Sequence, residues 1–93
     1  MLFMVIEHFP PGVVPTVYRR LRDEGRSLPE GLKYVNSWIE ASLARCFQLM
    51  ECDDARLLQE WILTWEGLIE GEIIPVVPSS ETQKVVQPFI QVG

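Results

Sequence analysis

The stretch that decides the fold runs from Leu32 to Cys52 and reads LKYVNSWIEASLARCFQLMEC. In both halves of this stretch the side chains fall into two alternating sets, as they do on the two faces of a β-strand. We predict one strand over 32–40 and a second over 43–52. The short break at Ala41 and Ser42 joins them as a hairpin. Two consecutive strands therefore form the centre of the chain.

On the N-terminal side of the hairpin the sequence predicts a strand followed by a helix. The stretch from Leu2 to Phe9 is rich in β-branched and aromatic residues. It ends at Pro10-Pro11-Gly12, where proline cannot donate to a ladder and glycine permits a reversal. From 13 to 26 the apolar residues recur every three or four positions, which indicates an amphipathic helix.

On the C-terminal side the same pair of elements is predicted in the same way. Asp53 and Asp54 provide an N-cap and negative charge for a helix that ends at Gly67. A β-rich run over 68–77 follows and is halted by Pro78. The predicted order is β-α-β-β-α-β, an α+β fold with a four-stranded antiparallel sheet and both helices on one face.

The chain is predicted to hold one domain over 1–78 and a C-terminal extension over 79–93. In the extension, 81–86 is compatible with a helical turn. The stretch 88–92 is compatible with a short strand that leaves its own protomer and pairs with the sheet edge of a partner. The alternative is a disordered end, which the apolar residues of the extension disfavour.

The sheet face that carries no helix needs a partner. Counting alternate positions along the hairpin assigns a largely apolar set of side chains to this face, too apolar to stand in water. The set comprises Tyr34, Asn36, Trp38, Cys46, Gln48 and Met50. We expect an identical chain to pack sheet to sheet about a two-fold axis, giving a homodimer that encloses a cavity.

Five of these residues form the predicted ligand-binding site. Tyr34 and Trp38 offer rings for stacking, Asn36 and Gln48 offer amides for orientation, and Met50 adds a thioether. Such a mixture suits a small planar organic molecule. The alternative is that the same residues fill a dimer interface and leave no space for a ligand.

His8 is the predicted catalytic base, since it is the single histidine and lies near the end of the first strand. Alternation places Glu7 and His8 on opposite faces, so the two are not expected to act as a dyad. The alternative is a hydrogen-bonded structural histidine. One His with Cys46 and Cys52 on a strand does not supply a metal-ligand set, so we predict no metal and no cofactor.

Charge and cysteine usage bear on partners and compartment. The 93 residues carry a net charge of −5, and nucleic-acid affinity depends on Lys and Arg, so neither nucleic acid nor an anionic membrane is an expected partner. No apolar run reaches the roughly 18 residues of a membrane-spanning helix. Cys46 and Cys52 lie too far apart along one strand for a disulfide, and the N-terminus lacks a basic export signal. These features predict free thiols and a cytoplasmic location.

Four segments resemble the DUF3303 family of small bacterial proteins. They are MLFMVIEHF at 1–9, LPEGLKYV at 28–35, CFQLME at 46–51 and LQEW at 58–61. The resemblance implies membership of the dimeric α+β barrel superfamily, in which ferredoxin-like protomers pair through their sheets. That superfamily includes cofactor-free monooxygenases, isomerases, haem-dependent peroxidases and ligand-sensing regulators, so it implies no single reaction.

The sequence thus predicts a homodimer that binds, and in an enzymatic form transforms, a small organic molecule between its two sheets. In that form His8 removes a proton and Asn36 or Gln48 stabilises the resulting oxyanion. The alternative is a non-catalytic interaction or regulatory scaffold with a filled interface.

Overall fold

A computed structural model describes residues 1–90 and confirms the β-α-β-β-α-β order, with a third helix after it. All strand pairs are antiparallel, and the strands lie in the order β2-β3-β1-β4. The elements are β1 (Leu2–His8), α1 (Val14–Glu24), β2 (Lys33–Ile39), β3 (Arg45–Glu51), α2 (Arg56–Thr64), β4 (Glu70–Val76) and α3 (Ser79–Ile90).

The two faces of the sheet differ in what covers them, and β1 shows the difference most clearly. Every second residue of this central strand is buried, namely Phe3, Val5 and Glu7. These side chains share the helix-covered face with their cross-strand partners on β3, which are Met50, Gln48 and Cys46. The intervening residues of β1 (Leu2, Met4, Ile6 and His8) are only partly buried and lie on the opposite face, here called the open face.

The helices bury one stripe each against the covered face. Pro15 stands in the first turn of α1, where no intrahelical donor is needed, and Val17 is its buried residue. In α2 the buried residues are Leu58 and Trp61. The helix comes so close to β4 that a Cβ at Gly71 would lie 2.6 Å from the tip of the Ile62 side chain, which would have to move to admit a larger residue.

A β-bulge at Val35 corrects the predicted faces of the hairpin. Tyr34 pairs with Met50 but Asn36 pairs with Leu49, so one extra residue on β2 reverses the alternation between them. Asn36 and Trp38 therefore lie on the open face. Tyr34 lies on the helix-covered face, together with the β3 residues Cys46, Gln48 and Met50. The prediction that all six share the open face was wrong.

The C-terminal extension is helical where a strand was predicted. Pro88, Phe89 and Ile90 belong to the last turn of α3, while Gln91 and Val92 lie outside the described residues. The apolar residues Val85, Val86, Phe89 and Ile90 recur at helical spacing, which explains the difference. In residues 1–90, α3 included, no helix is both long and apolar enough to cross a bilayer.

Candidate functional site

A cavity of about 200 Å³ lies between the helix-covered face of the sheet and the two helices of the core. Polar side chains form its sheet wall, and aromatic side chains form most of its helix wall. The sheet wall consists of Glu7, Ser37, Cys46 and Gln48, and the helix wall of Val17, Tyr18, Leu21, Trp61 and Trp65, with Phe9 and Arg26 completing the lining. The site is therefore formed by a single chain.

Glu7 is the central polar group of the cavity. The alternation of β1 that buries Phe3 and Val5 also directs Glu7 inward, and the residue is only 7% exposed. Burial raises the pKa of its carboxyl from 4.5 to about 7, although the Cys46 thiol and the Arg26 charge act in the opposite direction. Near neutral pH this carboxyl therefore exists in both protonation states, which is what proton transfer requires.

Cys46 stands opposite Glu7 in the strand register. Burial, followed by the charge and hydrogen bond of Glu7, raises the pKa of its thiol to about 11. The thiol is therefore protonated at neutral pH and serves as a hydrogen-bond donor to the carboxylate rather than as a nucleophile. Both Cys46 and Cys52 are free thiols, as predicted.

Arg26 connects the loop after α1 with Trp61 of α2 and with Trp65, which directly follows that helix. Its backbone carbonyl accepts hydrogen bonds from Trp61 Nε1 at 2.8 Å and from Trp65 Nε1 at 3.2 Å. Its guanidinium stacks on the Tyr34 ring, 3.6 Å from the ring centroid. The loop is thereby fixed from two sides, and a permanent positive charge is held beside the cavity.

Gln48 extends the polar wall next to Glu7 and Cys46. Its side-chain amide donates to Met50 Sδ at 3.2 Å. A thioether is a weak acceptor, so this amide loses little when it turns to a stronger acceptor. Gln48 can therefore supply a hydrogen-bond donor to a molecule in the cavity.

The structure separates the five predicted ligand-binding residues. Gln48 lines the cavity, and Tyr34 supports it by contacting Arg26 and by hydrogen bonding to Ser37 Oγ at 2.7 Å. Met50 is fully buried in the core. Asn36 and Trp38 lie on the open face, away from these three. The predicted set is thus split between the two faces of the sheet.

His8 lies on the open face and does not line the cavity that holds Glu7. Its Nε2 is 3.3 Å from Oε2 of Glu72 on the neighbouring strand β4. Arg45 is its cross-strand partner on β3. No group of three or more His, Cys, Asp or Glu side chains in the described part of the chain is arranged to hold a metal ion.

Sequence reasoning missed four site residues, namely Glu7, Arg26, Trp61 and Trp65. A signal was available for Glu7, because a carboxylate in phase with Phe3 and Val5 must point toward the core. Trp61 and Trp65 belong to the buried core and also line the cavity, and their helical spacing alone is typical of core residues. Nothing in the sequence pattern marks Arg26.

The fold and the cavity together define an α+β domain of ferredoxin-like topology with a buried carboxyl in a chamber between its sheet and helices. The sequence matches the model of a domain of unknown function, DUF3303, over residues 1–90, and the chain belongs to this family. No curated protein and no solved structure matched the chain.

Proposed function

We propose that the chain is a cytoplasmic protein that binds a small organic molecule in the cavity between helices and sheet. The observation that carries the proposal is a buried ionisable carboxyl, Glu7, facing an aromatic-walled space. Groups of this kind in cavities are over-represented at functional sites. The site differs from the predicted one, which was placed between the sheets of two copies.

The volume of the cavity matches a ligand of about one ring. An apolar cavity of about 150 Å³ holds a benzene molecule, and this one measures about 200 Å³. A six-membered ring with one or two substituents therefore matches the space. The Trp61 and Trp65 indoles and the Tyr18 ring supply apolar contact, while Glu7 and Gln48 set the orientation through hydrogen bonds.

A thermal-shift screen of one-ring metabolites tests this proposal. A compound at ten times its Kd is expected to stabilise the folded state by about 1.4 kcal/mol, which raises the Tm by several degrees. Ser37→Leu, which places a larger side chain in the cavity wall, is expected to abolish the shift. Asn36→Leu, on the opposite face, is the matched control and should keep it. Hits that survive Ser37→Leu unchanged would place the site elsewhere.

We also propose that two copies associate through their open faces. This face carries a row of apolar side chains: Leu2, Met4, Ile6, Phe47, Leu49, Ile74 and Trp38, the last 52% exposed. When two copies pack through this face, the apolar surface of each copy is removed from water. A regulatory scaffold is the second candidate function, favoured by this same surface, and would need no ligand.

The helix α3 supports association, because none of its residues is buried against the rest of residues 1–90. All of its residues are exposed, including Phe89 at 85%. An isolated helix of this length is marginal in water unless an apolar face is packed. We propose that α3 packs against the second copy, which would cover Val85 and Phe89.

Light scattering at micromolar concentration tests the dimer. The wild-type chain is expected to show twice the mass of the monomer, and Trp38→Glu is expected to shift it to monomer, because a charge then faces the apolar surface of the partner. Leu63→Glu, a substitution at an exposed position of α2 on the other side of the sheet, is the control and should remain dimeric. A wild-type monomer would refute this interface.

A further inference from the structure

We propose that the ligand of the cavity is a neutral one-ring compound with a weakly acidic O–H, of the phenol or enol class, which gives its proton to the Glu7 carboxylate while Arg26 faces the resulting anion. This inference rests on the proposed function and deepens it. It assigns Glu7, and not His8, as the proton acceptor.

The charges of the lining restrict the ligand class. Among the described residues that line the cavity, Glu7 supplies the carboxyl group and Arg26 the basic side chain. With Glu7 ionised the two charges cancel, so a neutral ligand leaves the pair in balance, whereas a charged ligand adds a net charge to a largely buried space. When the neutral ligand passes its proton to Glu7, the total charge in the cavity stays the same throughout the transfer.

The step is a simple proton transfer and balances without a co-reactant. The ligand O–H bond breaks, its bonding electron pair stays on the ligand oxygen, and the proton forms a new O–H bond with a Glu7 carboxylate oxygen. Nothing is oxidised or reduced. The Gln48 amide and the Arg26 guanidinium supply donors or positive charge for the oxygen that becomes negative.

None of the groups that surround Glu7 in residues 1–90 is suited to accept the ligand proton in its place. The Cys46 thiol on β3 holds its own proton near neutral pH, and Arg26 in the loop after α1 is a permanent cation. On β4 the residue in register with Glu7 is Gly71. Since glycine has no side chain, this strand offers no second group at that position that could accept the ligand proton. From the helices, Tyr18, Trp61 and Trp65 contribute aromatic rings. Binding is therefore expected to be strongest near pH 7, where the carboxyl and a weakly acidic ligand can share one proton.

The test compares two probes of nearly equal size, 4-nitrophenol and nitrobenzene, of which only the first carries an acidic O–H. The wild-type chain is expected to bind 4-nitrophenol at least about tenfold more tightly, the factor that one charge-assisted hydrogen bond supplies. Glu7→Gln keeps the shape of the side chain but cannot accept the proton, so it should bind both probes about equally. Glu72→Gln, at an exposed carboxylate of the open face, should keep the wild-type preference.

A spectroscopic readout on the wild-type chain gives a second measurement that does not depend on a variant. On the acid side of the titration midpoint of free 4-nitrophenol, the bound probe should show more of the yellow phenolate absorbance than the free probe. Equal binding of the two probes by wild-type chain, an unchanged preference in Glu7→Gln, or a bound probe no more ionised than the free one would each overturn the inference. Cavity ligands without an acidic O–H, found by the metabolite screen, would then leave the proposed function standing.

Discussion

Glu7→Gln is expected to change the free energy of unfolding more favourably above neutral pH than in acid. The difference between its effects at the two pH values should be about 3 kcal/mol. In the folded chain the pKa of Glu7 is about 7, against 4.5 for an unperturbed carboxyl. Between these two values the folded state binds more protons than the unfolded state. The free energy of unfolding of wild-type chain must therefore fall as the pH rises through this window, and it levels off above it.

Urea unfolding at about pH 5 and about pH 8 measures this effect. The wild-type chain should lose stability between the two conditions, and Glu7→Gln should lose much less, because its amide does not titrate. Glu60→Gln, at an exposed position of α2, is the control for removing a carboxylate from the surface and should follow the wild type. Parallel pH dependence in wild-type chain and Glu7→Gln would show that Glu7 is not buried in a cavity.

Trp61→Ala is expected to destabilise the fold by about 3–5 kcal/mol, the range for removal of a large buried aromatic side chain. Trp61 is 2% exposed, lines the cavity and donates to the Arg26 carbonyl. Trp61→Phe separates the two contributions, because it keeps most of the packing and removes the donor. Its expected cost is about 1–3 kcal/mol, since Trp65 then remains as a longer donor to the same carbonyl.

Urea unfolding again provides the measurement, with Leu63→Ala as the matched control on the same helix. Leu63 is 65% exposed, so its truncation should change stability by less than about 0.5 kcal/mol. If Trp61→Ala costs no more than Leu63→Ala, then α2 does not pack on the sheet as described, and the cavity loses its helix wall.

The order of strands and helices could be predicted because each signal is local. The alternation of β1, the turn at Pro10-Pro11-Gly12 and the apolar stripe of α2 each lie within a few residues of sequence. The faces of the central hairpin could not be predicted in the same way. A bulge at Val35 depends on how β2 pairs with β3, and one extra residue moves every later side chain to the other face.

The residues of the candidate site were harder to predict than the order of the strands and helices, because they come together only through tertiary packing. Arg26 reaches Tyr34 and the two tryptophans only because α1 and α2 cross the same face of the sheet. A pKa shift of a carboxyl depends on burial, and burial follows from the assembled fold. The sequence drew attention to His8 because it is the single histidine, whereas the inward phase of Glu7 was the more informative signal.

A pH titration of the Glu7 side-chain carboxyl carbon by NMR tests the central claim most directly, with the resonance assigned by its absence in Glu7→Gln. A carboxyl buried in the cavity between helices and sheet is expected to titrate with a midpoint of about 7. A midpoint near 4.5, the ordinary value for a glutamate, would contradict the buried site and the ligand chemistry proposed for it.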